Sequence, residues 1–198
     1  METNSREFEQ IYSDYQPKVH RYLTRLVGAK EAEDLTQEVF LKISKALSEF
    51  RNDAQLSTWI YKIATNTAID RIRMVSFKQT NHNQLNEDFE EIVKSVSGGQ
   101  LVDQQVVRNE MNECINAYIE TLPEKYRTIL ILSEIEGLKN QEIAEITDLN
   151  IGTVKIRLHR AKEKIKQILL EKCNFYQTSC CGKLACEPIG PIPKRNNQ

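Results

Sequence analysis

Apolar residues recur at helical spacing almost from the start of the chain. Between Arg6 and Phe50 the set Phe8, Ile11, Tyr12 and Tyr15 is followed by Val19, Tyr22, Leu23 and Leu26, three and four residues apart, as on one face of a helix. Pro17 and Gly28 punctuate this stretch and are expected to interrupt it. A further helix is predicted from about Ala32 to Phe50, with Val39, Phe40, Ile43, Leu47 and Phe50 as its buried stripe. Another is predicted from about Ser57 to Arg73, with Trp59, Ile60, Ile63, Ala64 and Ile72 turned inward. The periodicity then fades from Val75 to about Gln104, where polar, acidic and glycine residues dominate and a linker with at most one weak helical turn is expected. It resumes near Val106, with Met111, Ile115, Tyr118, Ile119 and Leu122 on one face. Leu122-Pro123 closes that helix and opens the next, because the residue before proline is pushed out of helical geometry while proline suits a first turn. This next helix carries Tyr126, Ile129, Leu130 and Ser133 and stops at Gly137, a natural cap. Two more helices, Asn140 to Thr147 and Ile151 to about Leu170, finish the pattern. With no strand pattern and no internal repeat, the predicted fold is all-α. Two small helical domains, residues 1–74 and 106–172, are joined by a flexible linker, 75–105, and followed by a tail, 173–198, whose end reads as disordered.

Composition agrees with this division. A chain of 198 residues can hold two small cores. Its 40% hydrophobic and 28% charged residues are those of a globular protein, and seven glycines and five prolines leave long stretches free to be helical. No apolar run approaches the roughly 18 residues that span a bilayer, and the first twenty residues lack a basic start, apolar centre and cleavage site. The expectation is a cytoplasmic protein without membrane insertion. The net charge of −1 hides an uneven distribution: Lys155 to Lys172 holds seven Lys or Arg against two Glu, whereas Leu85 to Asp103 holds five acidic residues against one Lys. A basic helical end and an acidic middle imply different partners.

The basic end has the parts of a helix-turn-helix between Gln141 and Arg160. Ala144 is the small residue needed where two helices cross, and Ile143, Leu149, Val154 and Leu158 supply the packing. Asn150 can cap the second helix with its side-chain oxygen, and Asp148 occupies the turn position where glycine is common. If Val154, Leu158, Ala161 and Ile165 face inward, then Lys155, Ile156, His159 and Arg160 share the outer face. There Arg160 can bridge guanine O6 and N7, Lys155 and His159 can donate to base acceptors, and Ile156 can touch a thymine methyl. Arg157 and the amides of Gly152 and Thr153 are positioned to hold phosphates. A merely solvated basic face is the alternative, and the motif alone indicates DNA binding and no more.

The first domain narrows the choice. The segment Ala32 to Leu47, AEDLTQEVFLKISKAL, resembles the polymerase-binding helix of sigma factors, and FRNDAQLSTWIYKIATNTAIDRIR, from Phe50, is similar to their minus-10 reader. TLPEKYRTILILSEIEGLKNQEIAEITDLNIGTVKIRLHRAKEKI resembles their minus-35 domain, so the likeness is colinear from about Phe8 to Leu170. Asp34, Gln37, Glu38 and Leu41 share one helix face opposite the apolar stripe, and the resemblance implies that they dock on the clamp coiled coil of the polymerase β′ subunit. It also implies a base pocket formed by Asn52, Asp53, Ala54, Gln55, Leu56 and Ser57, with Asn66 reading an extruded base, Tyr61 stacking, and Lys62, Arg71 and Arg73 attracting the strand. Trp59 is expected in the core, and Asp70 is expected to orient the arginines. No extra promoter-reading domain fits between the two halves, which points to the extracytoplasmic-function group, with the SigZ type nearest. The resemblance implies core RNA polymerase (β′ clamp coiled coil and β flap), duplex and single-stranded promoter DNA and an anti-sigma factor as partners. It implies no enzymatic activity and no required cofactor. The acidic linker can thread a basic polymerase channel or serve as a solvated spacer.

A classical activator or repressor would leave the Asp34 to Leu41 face unexplained. An enzyme would need a phosphate loop, nucleophile-base pair or paired carboxylates, none of which stands out. Four of the five cysteines lie in the tail: Cys173, Cys180, Cys181 and Cys186 have the number for a zinc or copper site, although no Cys-x2-Cys pair is present. An unstructured, incidental tail is the other reading.

Overall fold

A computed structural model of the chain describes residues 2–50, 55–82, 114–177 and 184–193. Helix α1, Glu2–Val27, continues through Pro17 instead of ending there. The lost backbone bond costs about 3 kcal/mol in a helix interior. Here Pro17 lies on the exposed side, while Ile11, Val19, Tyr22, Leu23 and Leu26 are all buried on one face. Packing on both sides of the proline outweighs the local break. Gly28, at φ 90°, turns the chain into α2, Ala29–Ala46. A short 3-10 turn, Leu47–Glu49, leads to Phe50, whose ring lies 4.9 Å from that of Trp59.

Helix α3 spans Leu56–His82, so the first part of the expected linker is helical. The stretch after Arg73 is polar but contains neither glycine nor proline, and extending an existing helix costs far less than starting one. Helix α4 occupies residues 114–120. Helix α5, Glu124–Leu130, continues into a π-helical turn, Ile131–Ile135, that ends at Gly137 with φ 70°. Helices α6, Asn140–Thr147, and α7, Ile151–Lys172, follow.

The tail departs from expectation. Strands β1, Cys173–Gln177, and β2, Leu184–Pro188, form an antiparallel hairpin with Cys173 opposite Pro188 and Gln177 opposite Leu184. The sequences CNFYQ and LACEP lack β-branched residues and regular alternation, so no strand signal is visible in them. A hairpin alone is marginal in water; this one sets Cys173 in a cluster with Cys114 and Tyr118, against which Ile165, Ile168 and Leu169 of α7 and Cys186 of β2 pack.

Helices α1 to α3 enclose Val19, Tyr22, Leu35, Val39, Ile43, Ile60 and Ala64, and the later helices enclose Ile129, Leu132, Ile143, Ile146, Val154 and Ala161. These two sets belong to one continuous apolar cluster, because α3 packs along α6. The domains are therefore docked on each other. No helix among the described residues is long and apolar enough to cross a membrane.

Candidate nucleic-acid and partner interfaces

The helix-turn-helix forms from local chemistry. The Glu142 carboxylate accepts a 2.7 Å hydrogen bond from the Lys139 backbone N–H, satisfying a donor at the start of α6. Asp148 takes the left-handed conformation (φ 52°, ψ 39°) that lets the chain reverse, and the Leu149 N–H closes on the Ala144 carbonyl at 3.1 Å. Asn150 Oδ1 accepts from the Thr153 N–H at 2.7 Å and caps α7. Val154 and Ala161 are fully buried, with Leu158 and Ile165 packed beside them. Lys155, Ile156, His159 and Arg160 are exposed together, as the spacing predicts. Thr153 is a correction: its amide, expected on a phosphate, is committed to the Asn150 cap.

On α2 the apolar stripe is buried and Asp34, Gln37 and Leu41 are exposed, Leu41 by 60%. Among the described residues, a leucine so exposed contributes little to the core. Glu38, beside them, is half-exposed and pairs with Lys42 at 2.8 Å and Arg71 at 3.6 Å. Arg71 also meets Glu31 at 2.6 Å. Its carboxylate partners are thus Glu31 and Glu38 rather than Asp70. These groups line a cavity of about 560 Å³ between α2 and α3, together with Lys42, Thr67, Asp70 and Met74.

The single-strand residues of α3 divide into two sets. Gln55, Asn66 and Arg73 are exposed, Leu56 and Ser57 are half-buried, and Asn52, Asp53 and Ala54 lie outside the described residues. Trp59 packs against the core, as expected. Tyr61 does not stand ready to stack. It is 5% exposed, its ring meets Tyr22 edge to face at 5.3 Å, and its hydroxyl donates to Glu136 at 2.6 Å. Burial, and then the hydrogen bond and charge of Glu136, push its ionisation well above the ordinary tyrosine range. Lys62 is likewise engaged, with Asp148 at 2.5 Å. Glu136 further faces Arg25 at 3.5 Å. Arg25, Glu136 and Asp148 thus join the two domains, and nothing in their spacing along the chain marks them for it.

Residues 11–76 match the family model described as Sigma-70 region 2, and residues 112–165 match that of Sigma-70, region 4. The chain is 35% identical to the ECF RNA polymerase sigma factor SigW of Bacillus subtilis, over 82% of this chain and 88% of that one. It is 33% identical to the ECF RNA polymerase sigma-E factor of Haemophilus influenzae, over 82% and 87%, and 34% identical to the RNA polymerase sigma-H factor of Pseudomonas aeruginosa, over 84% and 88%. None of these names supports the SigZ type. The fold is also that of the sigma factor RpoE solved with the anti-sigma factor NepR from Bartonella quintana, with a TM-score of 0.64, 21% identity, and coverage of 83% of this chain and 97% of that one. CnrH, solved with the cytosolic domain of CnrY, gives a TM-score of 0.60 at 19% identity, over 84% and 90%. The chain belongs to the sigma-70 family and, within it, to the extracytoplasmic-function sigma factors: it is a specificity subunit, not an enzyme, that binds RNA polymerase and promoter DNA and directs promoter-specific initiation.

Proposed function

We propose that each surface has a separate task in initiation. The α2 face of Asp34, Gln37, Glu38 and Leu41 docks on the clamp coiled coil of β′, and the α4 to α7 domain also meets the β flap. The observation that carries this reading is Leu41, an exposed apolar side chain one turn beyond Gln37 and Glu38 and opposite a buried stripe. An apolar anchor ringed by polar groups is the usual form of an interface hot spot. The α7 face of Lys155, Ile156, His159 and Arg160 reads the minus-35 duplex, with Arg157 and Gly152 near the phosphates. Helix α3 holds the melted minus-10 strand, Asn66 reading a base while Lys62 and Arg73 attract the backbone and Arg71 stays with Glu31 and Glu38. Because Tyr61 and Lys62 are held by Glu136 and Asp148, this last task requires the domains to separate. The protein acts in the cytoplasm. An anti-sigma factor holds it inactive, as the complexes of RpoE with NepR and of CnrH with CnrY suggest by analogy of fold.

Run-off transcription with purified core polymerase tests the assignment. Leu41→Ala is expected to weaken core binding by about tenfold or more, the scale of losing a hot spot, with an unchanged melting temperature. Unchanged core affinity would remove Leu41 from the interface.

A further inference from the structure

Three cysteines converge where the tail returns to the second domain. Cys114 lies in α4, Cys173 follows α7 as the first residue of β1, and Cys186 lies in β2. Cys114 and Cys173 are 4% and 3% exposed, whereas Cys186 is half-buried. All three are free thiols. They share a small apolar cluster with Tyr118, Ile165, Ile168 and Leu169, which adjoins the main core through Ile165 and Ile168. The hairpin register sets Cys186 opposite Phe175, two residues along from Cys173, so both cysteines lie on the same face in a diagonal pair. Cys173 is buried with Cys114 and Tyr118, and Cys186 packs against them from the facing strand.

Two chemistries suit neighbouring thiols, a metal ion and a sulfur–sulfur bond. A metal requires its donors to surround one point. Among the described residues, no group of three or more His, Cys, Asp or Glu is disposed to hold a metal ion. Three thiols clustered at the hairpin root, two buried and one half-buried, instead suit thiol–disulfide exchange, which uses an attacking thiol, a central sulfur and a leaving thiol.

We propose that Cys186, Cys173 and Cys114 form a thiol relay that accepts oxidising equivalents from a low-molecular-weight disulfide and stores them as a Cys114–Cys173 bond. Cys186, the most accessible, attacks the small disulfide, forming a mixed disulfide and releasing one small thiol. Cys173 then attacks the Cys186 sulfur, and the second small thiol leaves with the electron pair and takes up a proton. Finally Cys114 attacks Cys173 and Cys186 departs as a thiol, a step with no net redox change. Overall, two protein thiols lose two hydrogens and one small disulfide becomes two small thiols. Burial, followed by the neighbouring sulfurs, pushes the pKa of all three thiols up and keeps them protonated, so the reduced cluster resists casual oxidation and exchange quickens as pH rises. The stored bond ties the first helix of the second domain to the end of its last and fixes the hairpin's root.

The test is disulfide mapping of the full chain, equilibrated in glutathione buffers of increasing oxidised fraction, quenched by alkylation and digested for mass spectrometry. A cross-linked Cys114–Cys173 peptide is expected, lighter than its two reduced parts by the mass of two hydrogen atoms and restored by a dithiol reductant. Cys114→Ser should stop the relay at Cys173–Cys186, and Cys173→Ser should leave Cys186 capped by glutathione and Cys114 free. The proposal is overturned if Cys114 and Cys173 are both still alkylated in fully oxidised buffer. A principal bond through Cys180 or Cys181 would overturn it as well. So would a stoichiometric zinc complex, formed by the reduced chain, that protects all three thiols from oxidation. The wild-type map decides the question even if a variant does not fold.

Discussion

The Tyr61 hydroxyl donates a 2.6 Å hydrogen bond to Glu136 Oε2, which ties α3 to the turn in front of the helix-turn-helix. The Glu136 side chain is only 6% exposed, and its other named contact is Arg25 at 3.5 Å. Removing the hydroxyl strips a buried carboxylate of its short donor, a loss of about 1–3 kcal/mol. Tyr61→Phe should therefore shift the chain toward separated domains. Spin labels on exposed positions of α1 and α7 would report this as a longer, broader distance distribution. An unchanged distribution would show that apolar packing of α3 on α6 suffices to hold the domains.

Alkaline pH should act on the same contact. Burial keeps both Tyr61 and Tyr22 protonated well above the ordinary tyrosine value of about 10. The docked state thus retains on Tyr61 a proton that a separated state releases, while Tyr22, bonded to Thr65 inside the first domain, gives up its proton only on unfolding. The stability of the docked state is complete below that ordinary value and declines as pH climbs beyond it. Scattering measured across this range should show expansion on the alkaline side and none between neutrality and the ordinary tyrosine value. Expansion that begins near neutrality would assign the transition to other groups.

Much of this molecule is legible in its sequence because local rules and tertiary packing agree. Asn150, Asp148 and Gly137 each occupy the position that capping and turn chemistry select, and Leu41 stands out against a buried stripe. The sequence is opaque where tertiary contact overrides the local rule or where partners lie far apart in the chain. Pro17 reads as a break, yet buried residues on both sides carry the helix through it. Lys62 and Arg71 read as cations awaiting a nucleic-acid backbone, while Asp148 and Glu31 engage them. Tyr61 reads as a stacking ring for the same reason, since Glu136 lies 75 positions away. Cys114 is isolated in sequence from the tail cysteines, and only the packing of α4 beside the end of α7 brings it to Cys173.

The cap on α7 gives a stability prediction. Asn150 Oδ1 satisfies the Thr153 N–H at 2.7 Å, and loss of such a cap costs about 0.5–2 kcal/mol. Asn150→Ala should lower the melting temperature and, on the proposed assignment, weaken minus-35 binding, because the first turn of α7 loses its fixed start. Asn150→Asp keeps the acceptor and should recover most of both. If thermal stability falls in Asn150→Ala while DNA affinity holds, the first turn does not position the reading face.

Arg160 and Arg157 lie three residues apart on α7 but differ in exposure: Arg160 is open and Arg157 half-buried near the helix start. An exposed guanidinium on the reading face suits a base edge, whereas one beside the helix N-terminus suits phosphate. Arg160→Ala should cost about 1–3 kcal/mol on the preferred minus-35 sequence and relax discrimination at a single position, with little further loss on unrelated duplexes. Arg157→Ala should weaken every duplex alike and reduce the salt dependence of binding by about one counterion. Affinities of the two variants, measured over a salt series on matched and scrambled duplexes, separate these outcomes. Equal, sequence-independent losses in both would make the whole α7 face a backbone contact and leave base reading to other residues.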